Sequence, residues 1–275
     1  LLKAVGEVGN GVGDKPGQLG SKSMRQLSFG SDSTLWAVDS AGHRVHHFKQ
    51  SGELIKTIGT GSRGDGPGEL RDPVGVAVSR LGSSVFISEF LPSRISEYNQ
   101  SDGAFVRVLD TPGLKYPWSI CLSPDETTLA VAAPNMSYLF LFRLDGSAAR
   151  TIGGTSGSGE GEFSGPSDVR FSPDGQHLVV ADLLNNRVQV VTLDGSFVTQ
   201  IPLRSHARAV AVDAAGCIIA TTLEHVFVFH PDGTLLHGRL CGLNICGAAV
   251  GGLAVDPDTG RIAVGDSVVG KSYLL

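Results

Sequence analysis

An acidic residue closing a short apolar run, with a cation five positions later, recurs along the whole chain and limits what it can fold into. Arg44 follows Asp39, Arg94 follows Glu89, Arg187 follows Asp182 and Lys271 follows Asp266, while Tyr138 and His225 hold the same place in two degenerate copies. These anchors, at 44, 94, 138, 187, 225 and 271, are separated by 50, 44, 49, 38 and 46 residues. The plainest copy begins at Pro166. It runs through Val169 to Phe171, the turn Ser172-Pro173-Asp174-Gly175, Leu178 to Asp182, a four-residue loop, Arg187 to Val191, a turn at Asp194-Gly195, and Phe197 to Ile201. Short Val- and Ile-rich runs joined by turns read as strands, four to each copy.

One four-stranded unit per repeat predicts an all-β, six-bladed β-propeller of four-stranded blades. It occupies 1–275 as a single domain, with blades at approximately 23–58, 73–109, 117–152, 166–201, 206–240 and 249–275 plus 1–5. The 37 Gly and 13 Pro are spread along the chain, and no stretch keeps apolar residues at helical spacing over three turns without one of them intervening. The sixth copy ends at Ser272 to Leu275, after its third strand. Its missing strand stands at the other end, where Leu1-Leu2-Lys3-Ala4-Val5-Gly6 matches Leu54-Ile55-Lys56-Thr57-Ile58-Gly59. The ring is therefore expected to close by the N-terminal strand completing the last blade, which covers an open sheet edge. The chain opens at Leu1 without a Met, which suggests a piece of a longer protein.

The stretch from Gly165, "GPSDVRFSPDGQHLVVADLLNNRVQVVTLDGSFV", resembles an NHL repeat, whose pattern is a Pro-x-Gly-Val-Ala-Val strand, then Val-Ala-Asp, Asn-x-Arg-Val and Asp-Gly. Six copies cover the chain; copy three departs with Ala133 and Tyr138, and copy five with Ala220 and His225. The resemblance implies a domain of the kind found at the end of multidomain proteins such as tripartite-motif ubiquitin ligases, binding proteins or single-stranded RNA on one ring face.

An acid ending one strand and a cation starting the next can close the loop between them by a charge-assisted hydrogen bond, a structural role for Asp39, Arg44, Glu89, Arg94, Asp182, Arg187, Asp266 and Lys271. Binding falls instead to one mouth of the ring, built from first-strand starts, second-to-third loops and crossings between blades. Aligned first strands put Gln26, Gly75, Ser119, Asp168, Ala209 and Gly252 on its lip, preceded by Arg25, Val74, Trp118, Ser167, Arg208 and Gly251. Tyr116, Arg204 and His206 lie close in sequence, and the loops add His43, Phe90, Asn186 and the neighbouring Arg94. Exposed aromatics and arginines favour binding.

Six-bladed lactonases and related hydrolases hold a divalent cation at the mouth with several converging oxygens. This lip offers one carboxylate, Asp168, with Gln26 and Ser119; Gly75, Ala209 and Gly252 supply no ligand. The sequence therefore predicts no catalytic residue, metal or cofactor, and a non-enzymatic recognition platform, a protein–protein interaction scaffold. The alternatives are a single-stranded RNA-binding propeller using a basic, aromatic face around Arg25, Arg94, Arg204, Arg208 and Trp118, and a metal-dependent lactonase- or lyase-like hydrolytic enzyme. A net charge of 22 − 27 = −5 weighs against a whole-surface nucleic-acid binder. A monomeric domain, no membrane insertion and an intracellular setting are expected, since neither a membrane span nor a signal segment is seen.

Smaller signals read as structure. Arg63-Gly64-Asp65 lies in the Gly-rich crossing "GTGSRGDGPGELRDP", which "GGTSGSGEGEFSGP" parallels before repeat four. His46 and His47 alternate to opposite strand faces and, with His43, are expected to face solvent. Cys121 and Cys217 are expected to pack in inner strands, while Cys241 and Cys246 flank a crossing and pair only in an oxidising compartment.

Overall fold

The computed structural model describes residues 3–5, 7–8, 18–19, 24–223, 225–238, 250–266 and 271–274, and shows an all-β propeller of four-stranded antiparallel blades. Two compact units divide it, one of 1–113 with 251–275 and one of 114–250. The first unit holds a blade of Met24–Phe29, Leu35–Asp39, Arg44–Phe48 and Leu54–Ile58, and a second of Pro73–Val78, Ser84–Glu89, Arg94–Asn99 and Phe105–Val108. The other unit holds three blades. These are Ile120–Leu122 to Ala149–Gly153, Pro166–Phe171 to Phe197–Pro202, and Ala209–Val212 to Leu235–Gly238. Five blades thus use four consecutive strands. The sixth copy lacks four of its own: Val250–Val255, Ile262–Asp266 and Lys271–Leu274 are joined by Lys3–Val5, with Lys3 opposite Leu274 and Val5 opposite Ser272.

Inner strands are buried on both faces because neighbouring blades pack face to face, and this is why they read as continuous apolar runs rather than alternating ones. In the first blade every residue of Leu35–Asp39 and Arg44–Phe48 is buried, whereas Leu54–Ile58 is largely half-exposed. One face of that blade (Trp36, Val38, Val45) packs on Val76, Val78, Val85 and Ile87 of the next. The opposite face (Leu27, Leu35, Phe48) packs on Ala254 and Ala263. In the other unit Leu139, Leu141 and Ile152 meet Val169, Phe171 and Leu178, and Val179, Val188 and Val190 meet Val210, Ile218 and Phe229.

Packing on both faces corrects the solvent-facing reading of two histidines. His46 and His47 do point to opposite faces, but both faces are interior and both side chains are buried. Two further corrections concern register. Thr221 pairs with Ala209 and with Val226, so Thr222 rather than Ala220 occupies the acidic position of repeat five, across a loop shortened by two residues. Cys217 precedes the second strand of its blade, where its N–H bonds Asp213 Oδ1, and does not lie in an inner strand. Cys241 and Cys246 lie outside the described residues, as do the side chains of Asp266 and Lys271.

The acid–cation pairs hold more than their own hairpins. Arg44 Nε lies 3.1 Å from Asp39, Arg94 Nε 2.7 Å from Glu89 and Arg187 Nε 2.8 Å from Asp182. Arg187 also donates to the carbonyls of Ser158, Gly159 and Glu162, and Arg94 to those of Asp65 and Glu69, so each reaches back to the Gly-rich crossing that precedes its blade. Both crossings close on themselves by a parallel bridge, Arg63 to Leu70 and Ser156 to Phe163. In both, a Glu carboxylate caps a glycine N–H, Glu69 on Gly66 and Glu162 on Gly159. A Cβ on Gly64 or Gly157 would sit 2.1 or 2.0 Å from that carboxylate, so a side chain there would push the cap aside. Arg63 and Asp65 pair with Asp72 and Arg71 within the first of these crossings.

His47 stacks on Trp36 with ring centroids 3.9 Å apart. Thr34 Oγ1 donates to Asp32, so it accepts the proton on His47 Nε2 at 2.6 Å, and the buried Nδ1 finds no partner for a second proton. Burial, with help from Lys56, pulls the imidazole from 6.5 down to about 4. A base depressed by folding binds its proton more readily when unfolded, so His47 stabilises the fold above pH 6.5 and that share is lost as pH falls towards 4. Urea denaturation at pH 7 and pH 4 should show His47→Phe losing about 2 kcal/mol less than the parent across this window. Equal losses would show that His47 does not titrate as described.

Candidate functional site

Lip residues are placed by a shared distortion of the inner strands. In three blades the first strand slips register at its start, between Met24 and Leu27, Pro73 and Gly75, and Pro166 and Asp168. Bulges of this kind bend a strand and re-aim its side chains.

The lip acceptors turn inward and serve the strands. Gln26 Oε1 accepts the N–H of Val76 at 3.0 Å, and Asp168 Oδ2 accepts that of Val210 at 3.0 Å. Val76 and Val210 follow Gly75 and Ala209, so a side chain on one blade satisfies a backbone donor on the next, whose inner edge faces no further strand. Asp168 Oδ1 takes hydrogen bonds from Ser119 Oγ and the Val169 N–H, and from Arg170 Nη1 at 2.6 Å. Burial pushes the Asp168 carboxyl above the usual carboxylate range, while Arg170 and these hydrogen bonds pull the other way. Gln26, Ser119 and Asp168 are only 6%, 2% and 4% exposed, which closes them to a ligand. Gly252 is a packing glycine: a Cβ there would lie 2.2 Å from the Arg25 carbonyl.

A divalent cation does not fit this donor set. The lip oxygens are already engaged, and among the described residues no group of three or more His, Cys, Asp and Glu stands where it would hold a metal ion.

In the unit of 1–113 and 251–275, Arg25 lies half-buried in the bulge. His43, in a left-handed backbone conformation (φ 50°), accepts the Asp72 N–H at Nδ1, and the Asp72 carbonyl accepts the Phe90 N–H, so Asp72 ties these two loops together. Arg94 is engaged by Glu89 and the crossing.

In the unit of 114–250 a coherent patch forms. Ser167 Oγ lies 3.1 Å from the Ala207 carbonyl and 2.9 Å from that of Arg208; with the Ser119–Asp168 contact it ties 167–170 to residues of 116–119 on one side and of 204–209 on the other. Arg204 and His206 are exposed, and Trp118 and Arg208 half-buried. Tyr116 is exposed and adopts φ 49°, a strained region for a bulky residue. Asn186, in the fourth blade's second-to-third loop, also adopts a left-handed conformation. Sequence reasoning missed Arg170 and Asp72. Strand alternation places Arg170 on the same face as Asp168, a signal that was available; nothing marked Asp72.

No family model matches the chain, and no curated protein does. Solved structures do. A gluconolactonase of Xanthomonas campestris matches at TM-score 0.71 and 15% identity over 99% of this chain and 96% of its own. The hydrazine synthase of Kuenenia stuttgartiensis matches at 0.67 and 13% over 93% and 96%. A catalytically inactive virginiamycin B lyase of Staphylococcus aureus, with quinupristin, matches at 0.64 and 16% over 91% and 80%. At these identities the likeness establishes the propeller fold. The three named proteins are enzymes, a finding that counts against the expectation of a non-enzymatic scaffold. Among the described residues no helix is long and apolar enough to cross a membrane.

Proposed function

We propose that the chain is a propeller enzyme of lactonase or lyase type, with its reacting groups on the patch of the 114–250 unit. The carrying observation is that two exposed proton carriers, Tyr116 and His206, stand on segments that the Ser119–Asp168 and Ser167–Ala207 hydrogen bonds fix to either side of Pro166–Phe171. In lactone opening, His206 takes the proton of the attacking water and Tyr116 protonates the departing alkoxide, the roles suited to an imidazole and a phenol. The likeness to a gluconolactonase and a virginiamycin B lyase supports this class. No step runs through a metal ion, for which the described residues supply no fitting donor set.

The proposed frame is a six-bladed, NHL-type ring spanning 1–275, in which the composite sheet is the sixth blade. Its supports are the pairing of Lys3–Val5 with Lys271–Leu274 and the acid–arginine pairs of three blades.

Hydrolysis of glucono-δ-lactone and cleavage of quinupristin, each followed with and without EDTA, test the reading. Turnover should survive EDTA and fall about 100-fold in His206→Ala. Failure to turn over either compound, or an undiminished rate in His206→Ala, would overturn it.

A further inference from the structure

Four buried or half-buried arginines of this protein are matched by carboxylates. Arg44 has Asp39, Arg94 has Glu89, Arg170 has Asp168 and Arg187 has Asp182, each within 3.1 Å. Arg208 differs. Its Nε is buried with no hydrogen-bond partner, and no acid lies within ion-pair distance among the described residues. Its guanidinium pKa is lowered by burial, with no carboxylate to offset the loss of water. A half-buried charge without a carboxylate is an expensive arrangement.

The main chain around Arg208 is fixed. Its N–H donates to the Thr221 carbonyl at 2.8 Å and its carbonyl accepts from Ser167 Oγ, so the base of the side chain is held on the lip rather than on a loose loop. Among the described residues of this patch Arg204 and His206 are exposed, as is Lys115 beside it, and Ala209 brings no charge. The nearest lip acid, Asp168, is engaged by Arg170 and three further donors. An overall acidic chain thus keeps a local cationic spot at the mouth.

We propose that Arg208 is an oxyanion-docking residue of this mouth, which selects ligands bearing a carboxylate or a phosphate monoester. A planar guanidinium with free donors matches either group bidentately. The proposal goes beyond the enzymatic reading and does not rest on it; the carboxylate that lactone opening releases is one such ligand.

Intrinsic tryptophan fluorescence provides the readout, because Trp36 is fully buried and Trp118 lies on the patch. The whole chain is titrated with gluconate, inorganic phosphate and, as the uncharged control, glucose. Gluconate or phosphate should bind and glucose should not; the stronger of the two anions identifies the source. Arg208→Gln should weaken anion binding at least tenfold, Arg208→Lys should recover part of it, and Arg150→Gln, at an exposed outer-strand arginine, should leave it unchanged. Near-UV circular dichroism confirms that each variant is folded. Equal affinity in Arg208→Gln, the same loss in Arg150→Gln, or glucose binding as well as the anions would overturn the proposal. Arg208-dependent binding without turnover would uphold the docking site and sink the enzymatic reading. Turnover without Arg208-dependent binding would do the reverse.

Discussion

Arg187→Met is expected to destabilise the protein by about 3–5 kcal/mol, the range for breaking a buried ion pair by removing one partner. Its side chain is 8% exposed and that of Asp182 fully buried. The deletion also strips donors from the carbonyls of Ser158, Gly159 and Glu162 and from Gln200 Oε1. The melting temperature should fall by roughly 10 °C, while Met at the exposed Arg143 should change stability by no more than about 0.5 kcal/mol. Pairing Arg187→Met with Asp182→Leu should not restore the loss, because Ser164 N–H would then lose its Asp182 acceptor and Asn185 Nδ2 one of its two. A loss under about 1 kcal/mol in urea denaturation, against that range, would show that the arginine is not a clamp.

Asp168→Ala should cost about as much, about 3–5 kcal/mol, since it leaves the Arg170 guanidinium half-buried without its carboxylate. Ser119 Oγ and the Val210 N–H lose their acceptor with it. Asp168→Asn, which keeps one acceptor oxygen, should lose less. The same substitution decides whether Asp168 acts in chemistry. A reacting carboxylate would give an Asp168→Ala protein of parental stability with no turnover; the structure instead demands a fall in stability that precedes any change in rate.

Strand order, blade content and the composite sheet were legible because turn residues and apolar runs are local signals. The parallel between the two Gly-rich crossings was visible too. Burial was less so. Alternation along Arg44–Phe48 distinguishes two faces, but in a sheet packed on both sides it says nothing about which face meets water, and His46 and His47 were misplaced for that reason. The lip was found by alignment, yet its polar members were misjudged. Gln26 and Asp168 resemble ligands in sequence, whereas their task is to satisfy N–H groups on an adjacent blade some 50 and 42 residues away, and no local pattern announces so distant a partner. In repeat five the shortened loop moved the acidic position from Ala220 to Thr222, a shift only the pairing register reveals. Arg208 was legible as a cation at the lip; that no described carboxylate pairs with it is a property of its surroundings.

Because Arg94 and Arg187 grip the segment that leads into their blade, the module that could be moved or duplicated intact begins upstream of the first strand. Grafting 73–109 or 166–201 alone would leave an arginine with its carboxylate but without the carbonyls it also holds. Grafting 59–109 or 153–201 would carry the whole clamp, with Leu70 or Phe163 still plugging the seam. Shuffling of such repeats should therefore favour breakpoints at Gly59 and Gly153, ahead of the crossings, over breakpoints at Pro73 and Pro166.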